Sequence, residues 1–352
     1  MSALLKLLEL ISAPNGAAGL EAQRWLDQLT KPVGSLGRLE ELARRLAEIT
    51  GMCPPSIAHA VIFTLAGDHG VVEEGVSAYP QVVTSQMVEN FLRGGAAVNV
   101  LARHAEARVI VADLGVAGPL PPHPNLRTKR IAPGTRNMSR GPAMTRPEAL
   151  AAVEAGVDLV ESERAHGLDL IGTGEMGIGN TTAASAMTVV FTGAPVAEVT
   201  GAGTGIDEVT RRRKIAIIER ALRVNEPDPG DALDVLAKVG GFEIAGLAGV
   251  ILAGAAYRIP VFVDGFIAAA AALAAVRLKP EARHAVLASH RSAEPGHRHA
   301  LEALGLTPYL DLGMRLGEGT GAALGISLAR AAVKILTEMA TFKSAGVSGR
   351  SD

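Results

Sequence analysis

Residues 171–183 read Ile-Gly-Thr-Gly-Glu-Met-Gly-Ile-Gly-Asn-Thr-Thr-Ala, with four glycines at positions 172, 174, 177 and 179. The preceding residues 167–171, Gly-Leu-Asp-Leu-Ile, are typical of a buried strand, and the chain from Asn180 onward begins like a helix. Glycine allows positive φ and close approach of the backbone to a ligand, and Asn180 or Thr181 can cap the helix. The turn therefore predicts a nest of N–H groups that binds a phosphate or sugar phosphate beside Glu175. A tight turn without a ligand is the alternative.

Strands and helices alternate along the chain around this turn, beginning at Ala58. The apolar runs that predict strands lie at 59–66, 108–115, 167–171, 195–199, 260–264 and 285–289. Helical patterns separate them, among them an amphipathic helix over 146–164 and an Ala-rich helix over 267–277. Five or six strands joined in this way predict an α/β fold, with a Rossmann-like parallel sheet and helices on both of its faces.

Polar or glycine-rich turns follow the ends of most of these strands. Parallel strands end at one edge of a sheet, so the topology brings several of these residues together there. The residues expected at that edge are Asp68, Glu175, Gly203, Asp264, Ser292 and Glu318. Asp68 and its neighbour His69 either line the site or serve as a local backbone cap, and the sequence leaves both open. Glu318, between two glycines, is either a base over a ligand cleft or a partner of a helix dipole.

Four consecutive cations, from Arg211 to Lys214, occupy the first turns of the helix that starts near Asp207. They oppose the positive end of the helix dipole, and a bound anion would relieve that conflict. We therefore predict that Lys214 points into the site, with a solvated basic face as the alternative. Lys31 and Arg38, in the loop 29–40, could also reach a phosphate, although we favour a plain connector between two helices for that loop.

The two ends of the chain predict a second, smaller unit. Apolar residues recur at helical spacing through residues 1–50, and a long helix follows the Glu318 segment. We therefore expect a small helical domain built from residues 1–55 and 328–352, and a large α/β domain over 56–327.

The composition argues against several function classes. The 352 residues include 34 basic, 36 acidic and few aromatic residues, which is not the pattern of a nucleic-acid-binding protein. Cys53 is the single cysteine, so neither an internal disulfide nor a paired-cysteine zinc site can form. The N-terminus does not resemble a signal peptide, and the apolar runs near 244–257 and 266–276 are too short to span a membrane. We expect a cytoplasmic protein without a membrane span.

Two further motifs leave alternatives open. Three histidines within 290–299 suggest a metal site, but His297 and His299 lie two residues apart without a partner cluster, so we expect no metal. Residues 317–322, Gly-Glu-Gly-Thr-Gly-Ala, approach a dinucleotide-binding pattern, but a long helix rather than a second strand carries the next suitable acid. A dinucleotide-binding oxidoreductase of the NAD type and a non-catalytic nucleotide sensor remain alternatives to a sugar-phosphate enzyme.

Six motifs occur together in a fixed order along the chain. They are Gly67-Asp-His-Gly70, Gly174-Glu-Met-Gly-Ile-Gly-Asn-Thr-Thr182, Gly201-Ala-Gly-Thr-Gly205, Val263-Asp-Gly-Phe266, Ser289-His-Arg-Ser-Ala-Glu294 and Gly317-Glu-Gly-Thr-Gly321. Taken together they closely resemble the nicotinate-nucleotide–dimethylbenzimidazole phosphoribosyltransferase family, which acts in assembly of the cobalamin nucleotide loop. The resemblance starts at residues 29–37, Leu-Thr-Lys-Pro-Val-Gly-Ser-Leu-Gly, and extends through the Glu318 segment.

The resemblance implies transfer of the 5-phosphoribosyl group from nicotinate mononucleotide to 5,6-dimethylbenzimidazole. The products are α-ribazole 5′-phosphate and nicotinate, with inversion at the anomeric carbon. It also implies a Rossmann-like large domain, a small helical domain from both chain ends and a homodimer. No cofactor is implied, because the pyridinium of the donor is already a cationic leaving group.

The resemblance assigns roles to particular residues. The general base of the family corresponds to Glu318, and its second functional Glu and its Lys correspond to Glu175 and Lys214. We assign the phosphate and ribose contacts to Gly177, Ile178, Gly179, Asn180, Thr181, Gly203, Asp264 and Ser292. The acceptor must lose an N–H proton as its other ring nitrogen attacks the sugar, which suits a carboxylate base. For the flat apolar pocket of the benzimidazole we predict Tyr79, Pro80, Gln81, Met87 and Leu316.

Overall fold

The computed structural model describes residues 3–348, and six β-strands form its centre. The strands are β1 (Ala60–Gly67), β2 (Ala107–Gly115), β3 (Leu126–Thr128), β4 (Leu170–Met176), β5 (Val261–Val263) and β6 (Val286–Ala288). All the pairings between them are parallel, and their spatial order is β3-β2-β1-β4-β5-β6. This is the order of a Rossmann-type sheet, and it confirms the predicted fold class.

Helices precede, separate and follow these strands. The α-helices are α1 (Ala3–Leu10), α2 (Gly16–Leu26), α3 (Arg38–Thr50), α4 (Val83–Leu92), α5 (Ala97–His104), α6 (Arg146–Arg164), α7 (Asn180–Thr192), α8 (Val196–Val199), α9 (Glu208–Asn225), α10 (Ala232–Val239), α11 (Phe242–Ala256), α12 (Phe266–Leu278), α13 (Pro295–Leu304), α14 (Thr320–Glu338) and α15 (Phe342–Ala345). Two short 3-10 helices cover Gly70–Glu74 and Pro280–Ala285.

The strand order reverses between β1 and β4, which pair from Ala60 opposite Leu170 to Ala66 opposite Met176. In open parallel sheets, ligands bind beyond the carboxyl ends of the strands at such a reversal. The turn that follows Met176 therefore lies at the position where this fold places a binding cleft.

Three differences from the sequence-based elements concern short or glycine-rich segments. The predicted strand over 195–199 is wrong, because residues 196–199 form a single helical turn, α8, directly after Pro195. The strand β3 was not predicted, since its three residues follow a proline-rich stretch and are exposed or half-buried. The strand β4 continues through Gly172 and Gly174, so only the later two glycines of the decisive stretch belong to the turn.

The tightest packing in the core is the crossing of α6 and α11, which lies on one face of the sheet. A Cβ on Gly156 would lie 1.9 Å from the carbonyl oxygen of Gly246, and a Cβ on Gly249 would lie 1.9 Å from that of Val153. Both contacts are with backbone, which cannot rotate away as a side chain can. The two helices therefore approach as closely as they do because glycine occupies these positions.

We expect Gly249→Ala to destabilise the protein by about 1–3 kcal/mol or more, because α6 and α11 must move apart to admit the methyl group. Denaturant unfolding monitored by circular dichroism measures the change. Gly16→Ala is the matched control, since a Cβ there meets nothing within 4 Å. Equal stability of the two variants would contradict this account of the helix crossing.

The N-terminal helices pack against the C-terminal part of the chain. Helix α2 packs on α3, and α3 packs on α14, while the buried apolar side chains of these helices continue into the core around the sheet. The division into residues 1–55 with 328–352 and 56–327 remains a prediction, of which positions 1–2 and 349–352 lie outside the described residues. Helix α14 is long and apolar enough to cross a membrane by length and composition, but half of the relevant window is buried inside the protein.

Lys31 and Arg38 have structural partners that explain them without a phosphate. The Lys31 ammonium lies 2.9 Å from the Glu40 carboxylate, and both side chains are buried. Arg38 stacks over the ring of Tyr309, 4.3 Å from its centroid, and donates to the carbonyl oxygens of Thr307 and Pro308. These contacts fasten the start of α3 to the segment that leads towards Glu318, which favours the connector interpretation of this loop.

Candidate active site

A cleft of about 750 Å³ opens beyond the carboxyl ends of β4 and β5. The residues that line it are Tyr79, Val83, Met87, Glu175, Met176, Gly177, Ile178, Asn180, Thr181, Gly203, Thr204, Gly265, Phe266, Ile267, His290, Ser292, Glu294, Arg315, Leu316, Gly317 and Glu318. The predicted convergence of Glu175, Gly203, Ser292 and Glu318 is therefore present at this edge of the sheet. The cleft is large enough for a nucleotide and a bicyclic base together.

Two residues of the predicted base pocket do not line the cleft in the described part of the chain. The carbonyl oxygens of Pro80 and Gln81 accept hydrogen bonds from the N–H groups of Val83 and Thr84, which turns the chain into α4. Their place in the fold is thus a helix start rather than a wall of the cleft. The predicted pocket reduces to Tyr79, Met87 and Leu316.

The turn after β4 is built as a helix N-terminus. Gly179 has φ +94° directly before α7, and the N–H of Ile178 donates to the Thr84 hydroxyl at 3.1 Å. A Cβ on Gly177 would lie 2.2 Å from the Gly67 carbonyl oxygen, so the loop rests against the end of β1. This geometry presents the start of α7 to the cleft, as an anion-binding turn requires.

Glu175 is buried at the floor of the cleft, and its Oε2 accepts a hydrogen bond from the Asn180 side-chain amide. Burial, together with the charges of Asp264 and Glu243, raises the pKa of Glu175 to about 8. At neutral pH the group is therefore mostly a neutral acid, which can donate a hydrogen bond without repelling a phosphate. A Cβ on Gly317 would lie 2.3 Å from Oε1 of Glu175, so the residue that faces this carboxyl must be a glycine.

Glu318 stands on a backbone that is fixed at several points. Its φ is +65°, its carbonyl oxygen accepts from the Thr64 hydroxyl at 2.9 Å, and a Cβ on Gly174 would lie 2.1 Å from that oxygen. Its carboxylate is 3.4 Å from the N–H of Val98, and burial raises the pKa of this carboxyl. A left-handed glutamate is unusual, and such strain is often found where a side chain must be aimed at a ligand.

Asp264 does not point into the cleft, contrary to its predicted role in binding ribose or phosphate. Its carboxylate accepts the N–H groups of Gly319, Gly321 and Ala322, at 3.0, 2.6 and 3.1 Å. Burial raises the pKa of Asp264 to about 7, although these three N–H donors favour the ionised form of its carboxyl. Asp264 caps α14 from the neighbouring strand end and thereby fixes the turn that carries Glu318.

Lys214 is fully buried in α9, and its Nζ donates to the Thr181 hydroxyl at 2.7 Å. Burial lowers its pKa to about 8, although the charge of Glu294 acts in the opposite direction. Lys214 lies behind Thr181 and is not among the residues that line the cleft, so its place in the site stays a prediction. Arg211 and Arg212 pair with Glu208 on the surface. The ammonium group of Lys214 therefore lies beside Thr181, at the start of α7.

The glycine turn over 201–205 covers this cation. A Cβ on Gly203 would lie 2.9 Å from the Thr181 hydroxyl and 3.2 Å from the Lys214 Nζ. The Gly203 N–H donates to Glu294 Oε1 at 2.9 Å, so in this structure it is already paired. Ser292 lines the cleft nearby and accepts from the Glu294 N–H at 3.3 Å.

The three histidines of 290–299 do not form a metal centre. His297 Nδ1 accepts the Ser292 N–H at 2.8 Å and burial lowers its pKa to about 3, while His299 lies 3.7 Å from Glu198 on the other side. Within residues 3–348 there is no group of three or more His, Cys, Asp or Glu side chains that could hold a metal ion. His290 does line the cleft, 3.8 Å from Asp264.

Asp68 and His69 lie beneath the glycine turn instead of in the cleft lining. The Asp68 carboxylate accepts the Ala117 N–H at 2.8 Å, which corresponds to the backbone-cap alternative. His69 Nε2 lies 2.7 Å from Glu243 Oε1, and both side chains are fully buried. Sequence reasoning missed Glu243, although an acid at the start of an otherwise apolar helix was a usable signal.

Thr204, Glu294 and Arg315 were also missed as residues of the cleft. Each lies in or beside a motif that the sequence singled out, but none has a side chain whose role follows from its neighbours in the chain. Their partners come from distant segments, which only the folded structure brings together.

The chain is similar to known proteins over nearly its whole length. A family model described as phosphoribosyltransferase matches residues 11–347. The nicotinate-nucleotide–dimethylbenzimidazole phosphoribosyltransferase of Chloroflexus aggregans is 56% identical over 352 residues, covering 100% of both chains, and that of Geobacter sulfurreducens is 54% identical over 348 residues, covering 99% of both. The crystal structure of the enzyme of that name from Thermus thermophilus superposes with a TM-score of 0.90 at 48% identity, covering 96% of this chain and 100% of that one.

Proposed function

This chain belongs to the nicotinate-nucleotide–dimethylbenzimidazole phosphoribosyltransferase family, and from that premise we propose how its cleft carries out the reaction. The enzyme transfers the 5-phosphoribosyl group of nicotinate mononucleotide to 5,6-dimethylbenzimidazole. The bond from the anomeric carbon to the nicotinate nitrogen breaks, and a bond from that carbon to a benzimidazole nitrogen forms. The second benzimidazole nitrogen loses its proton. Nicotinate leaves with the electron pair of the broken bond, so its ring nitrogen, positively charged in the donor, becomes neutral.

Glu318 is the general base in this proposal. The single observation that carries it is the placement of a buried carboxylate on a strained, multiply anchored turn at the cleft. Because burial raises its pKa, the carboxylate is a stronger base than an exposed glutamate and is better matched to the acceptor proton. Asp264 is a positioning residue, since it holds the turn rather than the substrate.

The donor phosphate binds at the start of α7 in this proposal. Thr181, Lys214 and the turn through Gly177 and Asn180 supply N–H and O–H donors and one buried cation. Glu175, as a neutral acid, donates to the ribose or phosphate. Once the anomeric carbon becomes cationic in the transition state, an ionised Glu318 nearby also stabilises it.

The acceptor occupies the apolar end of the cleft, beside Tyr79, Met87 and Leu316. Phe266 and Ile267 also contribute apolar surface to the cleft. We further propose a cytoplasmic homodimer with the two-domain division given above. These three features rest on the family resemblance and the composition.

The direct test is incubation of the purified protein with nicotinate mononucleotide and dimethylbenzimidazole, followed by detection of α-ribazole 5′-phosphate by mass spectrometry. We expect equal amounts of nicotinate and α-ribazole 5′-phosphate, with activity retained in excess EDTA. Absence of product with both substrates saturating would contradict the proposal. Strict dependence on a divalent ion would contradict the metal-free mechanism only.

The buried lysine predicts a pH limit on use of the donor. Lys214 has a pKa of about 8 in the free enzyme, so its positive charge is lost as the pH rises through that value. We expect kcat/KM for nicotinate mononucleotide to fall above about pH 8, and Lys214→Met to lower it roughly 10- to 100-fold at pH 7 through loss of a charge-assisted hydrogen bond.

The variant Lys214→Arg distinguishes the effect of Lys214 on this pH profile from that of Glu175, whose pKa is also about 8. An arginine stays charged across the range, so the alkaline fall should disappear in that variant if Lys214 causes it. Glu175→Gln should leave the fall in place. A fall that vanishes in Glu175→Gln and persists in Lys214→Arg would assign it to the glutamate.

A further inference from the structure

The turn over 201–205 contacts both ends of the cleft. On one side Gly203 packs against Thr181 and Lys214, where the proposed phosphate site lies. On the other side the same turn hydrogen-bonds to the two loops that carry the acceptor-pocket side chains Tyr79 and Leu316. A single five-residue turn thus lies between the proposed phosphate site and the proposed acceptor pocket.

The contact with the first loop is made by Thr204. Its hydroxyl oxygen accepts the Ala78 N–H at 3.1 Å and lies 3.3 Å from the Ser77 hydroxyl. Ser77 Oγ in turn accepts the Tyr79 N–H at 3.2 Å. The backbone on which the Tyr79 ring stands is therefore fixed by the Thr204 side chain.

The contact with the second loop is made by Arg315. Its guanidinium donates to the Gly203 carbonyl oxygen at 2.7 Å, and Leu316 is the next residue in the chain. The same loop is attached at Met314, whose carbonyl oxygen accepts the Ala293 N–H at 2.9 Å. Residues 311–313 and 315–316 are otherwise exposed, so Arg315 is a principal anchor of the loop at the cleft mouth.

The turn lies directly over the two side chains of the proposed phosphate site, Thr181 and Lys214. Gly203 has φ +52°, and its N–H and carbonyl groups are paired with Glu294 and Arg315. Since Thr181 and Lys214 pack directly beneath it, an anion that fixes those two side chains also fixes the turn. Ordering the turn then reduces the cost of ordering the two acceptor loops.

We propose that Thr204 and Arg315 are positioning residues that couple binding of the donor phosphate to ordering of the acceptor pocket. The inference rests on the proposed locations of the phosphate and the benzimidazole. Its consequence is that phosphate tightens acceptor binding, and by thermodynamic reciprocity acceptor tightens phosphate binding by the same factor.

The experiment measures the Kd of dimethylbenzimidazole for the full-length enzyme by titration calorimetry, with and without saturating inorganic phosphate. We expect phosphate to tighten binding at least about fivefold in the unaltered enzyme. Thr204→Val removes the hydroxyl at constant shape and should bring that ratio close to one, whereas Thr204→Ser should preserve it. Arg315→Ala should also reduce the ratio, and as a change of an exposed side chain it tests the idea even if Thr204→Val folds poorly.

Kinetics give a second measurement that a merely structural role would not reproduce. In Thr204→Val the KM for dimethylbenzimidazole should rise about tenfold while kcat at saturating acceptor falls far less. A phosphate-independent Kd in the unaltered enzyme, or the same ratio in Thr204→Val as in Thr204→Ser, would overturn the coupling. Failure of the proposed function is distinguishable, because the unaltered enzyme would then form no α-ribazole 5′-phosphate.

Discussion

Turnover is expected to fall by about 10²- to 10⁴-fold when Glu318 is replaced by Gln, because the acceptor then loses its general base. Glutamine keeps the size of the side chain and the hydrogen bond from the Val98 N–H, so the turn should hold its shape. Binding of nicotinate mononucleotide should remain largely intact, since its phosphate contacts lie at the start of α7. Steady-state kinetics and calorimetric titration with the donor measure the two effects separately.

The pH profile sharpens this expectation. Because burial raises the pKa of Glu318, the acid limb of kcat/KM for the acceptor should lie above the ordinary range of a glutamate. That limb should be absent from the residual activity of Glu318→Gln. Glu302→Gln, an exposed change on α13, is the matched control and should leave the rate unchanged. Near-normal turnover by Glu318→Gln would remove Glu318 from the role of base.

The fold class and the edge of the sheet where the cleft opens could be predicted from local sequence. Alternating strands and helices fixed the layers of the α/β fold, and glycine turns at strand ends marked the edge where Glu175, Gly203 and Glu318 meet. These features can be predicted from sequence because they depend on residues adjacent in the chain. The prediction of a strand over 195–199 was wrong because an apolar run of that length fits one helical turn as well as a strand.

Roles that depend on distant partners were not predictable in this way. The sequence placed Asp264 at a strand end, but whether its carboxylate faces a ligand or a helix N-terminus depends on where α14 starts in space. In the structure Gly321 is so close that its Cβ would lie 2.8 Å from the Asp264 carboxylate. The same limitation hid Thr204 and Arg315, whose partners are more than 100 residues away in the chain.

The buried pair of His69 and Glu243 joins residues that are far apart in the chain, and it is expected to contribute to the stability of the fold. It lies beneath the glycine turn, where Gly67, Gly177 and Gly241 leave room for the Glu243 carboxylate. His69→Leu should destabilise the protein by about 3–5 kcal/mol, because it leaves the Glu243 carboxylate buried without its cation. The double variant His69→Leu with Glu243→Leu should lose less free energy of unfolding than the two single variants lose in sum. Chemical denaturation measures all three, with exposed His104→Leu as the control.

The pH dependence of Glu243→Leu provides the stricter test of that pair. Glu243 raises the pKa of His69 above its ordinary value of 6.5, against the effect of burial. The stabilisation from this shift is therefore fully present below the unfolded pKa and is lost as the pH rises through the folded one. The stability gap between the unaltered protein and Glu243→Leu should accordingly be wider at pH 6 than at pH 9. An equal gap at both would mean that His69 is neutral in the folded protein.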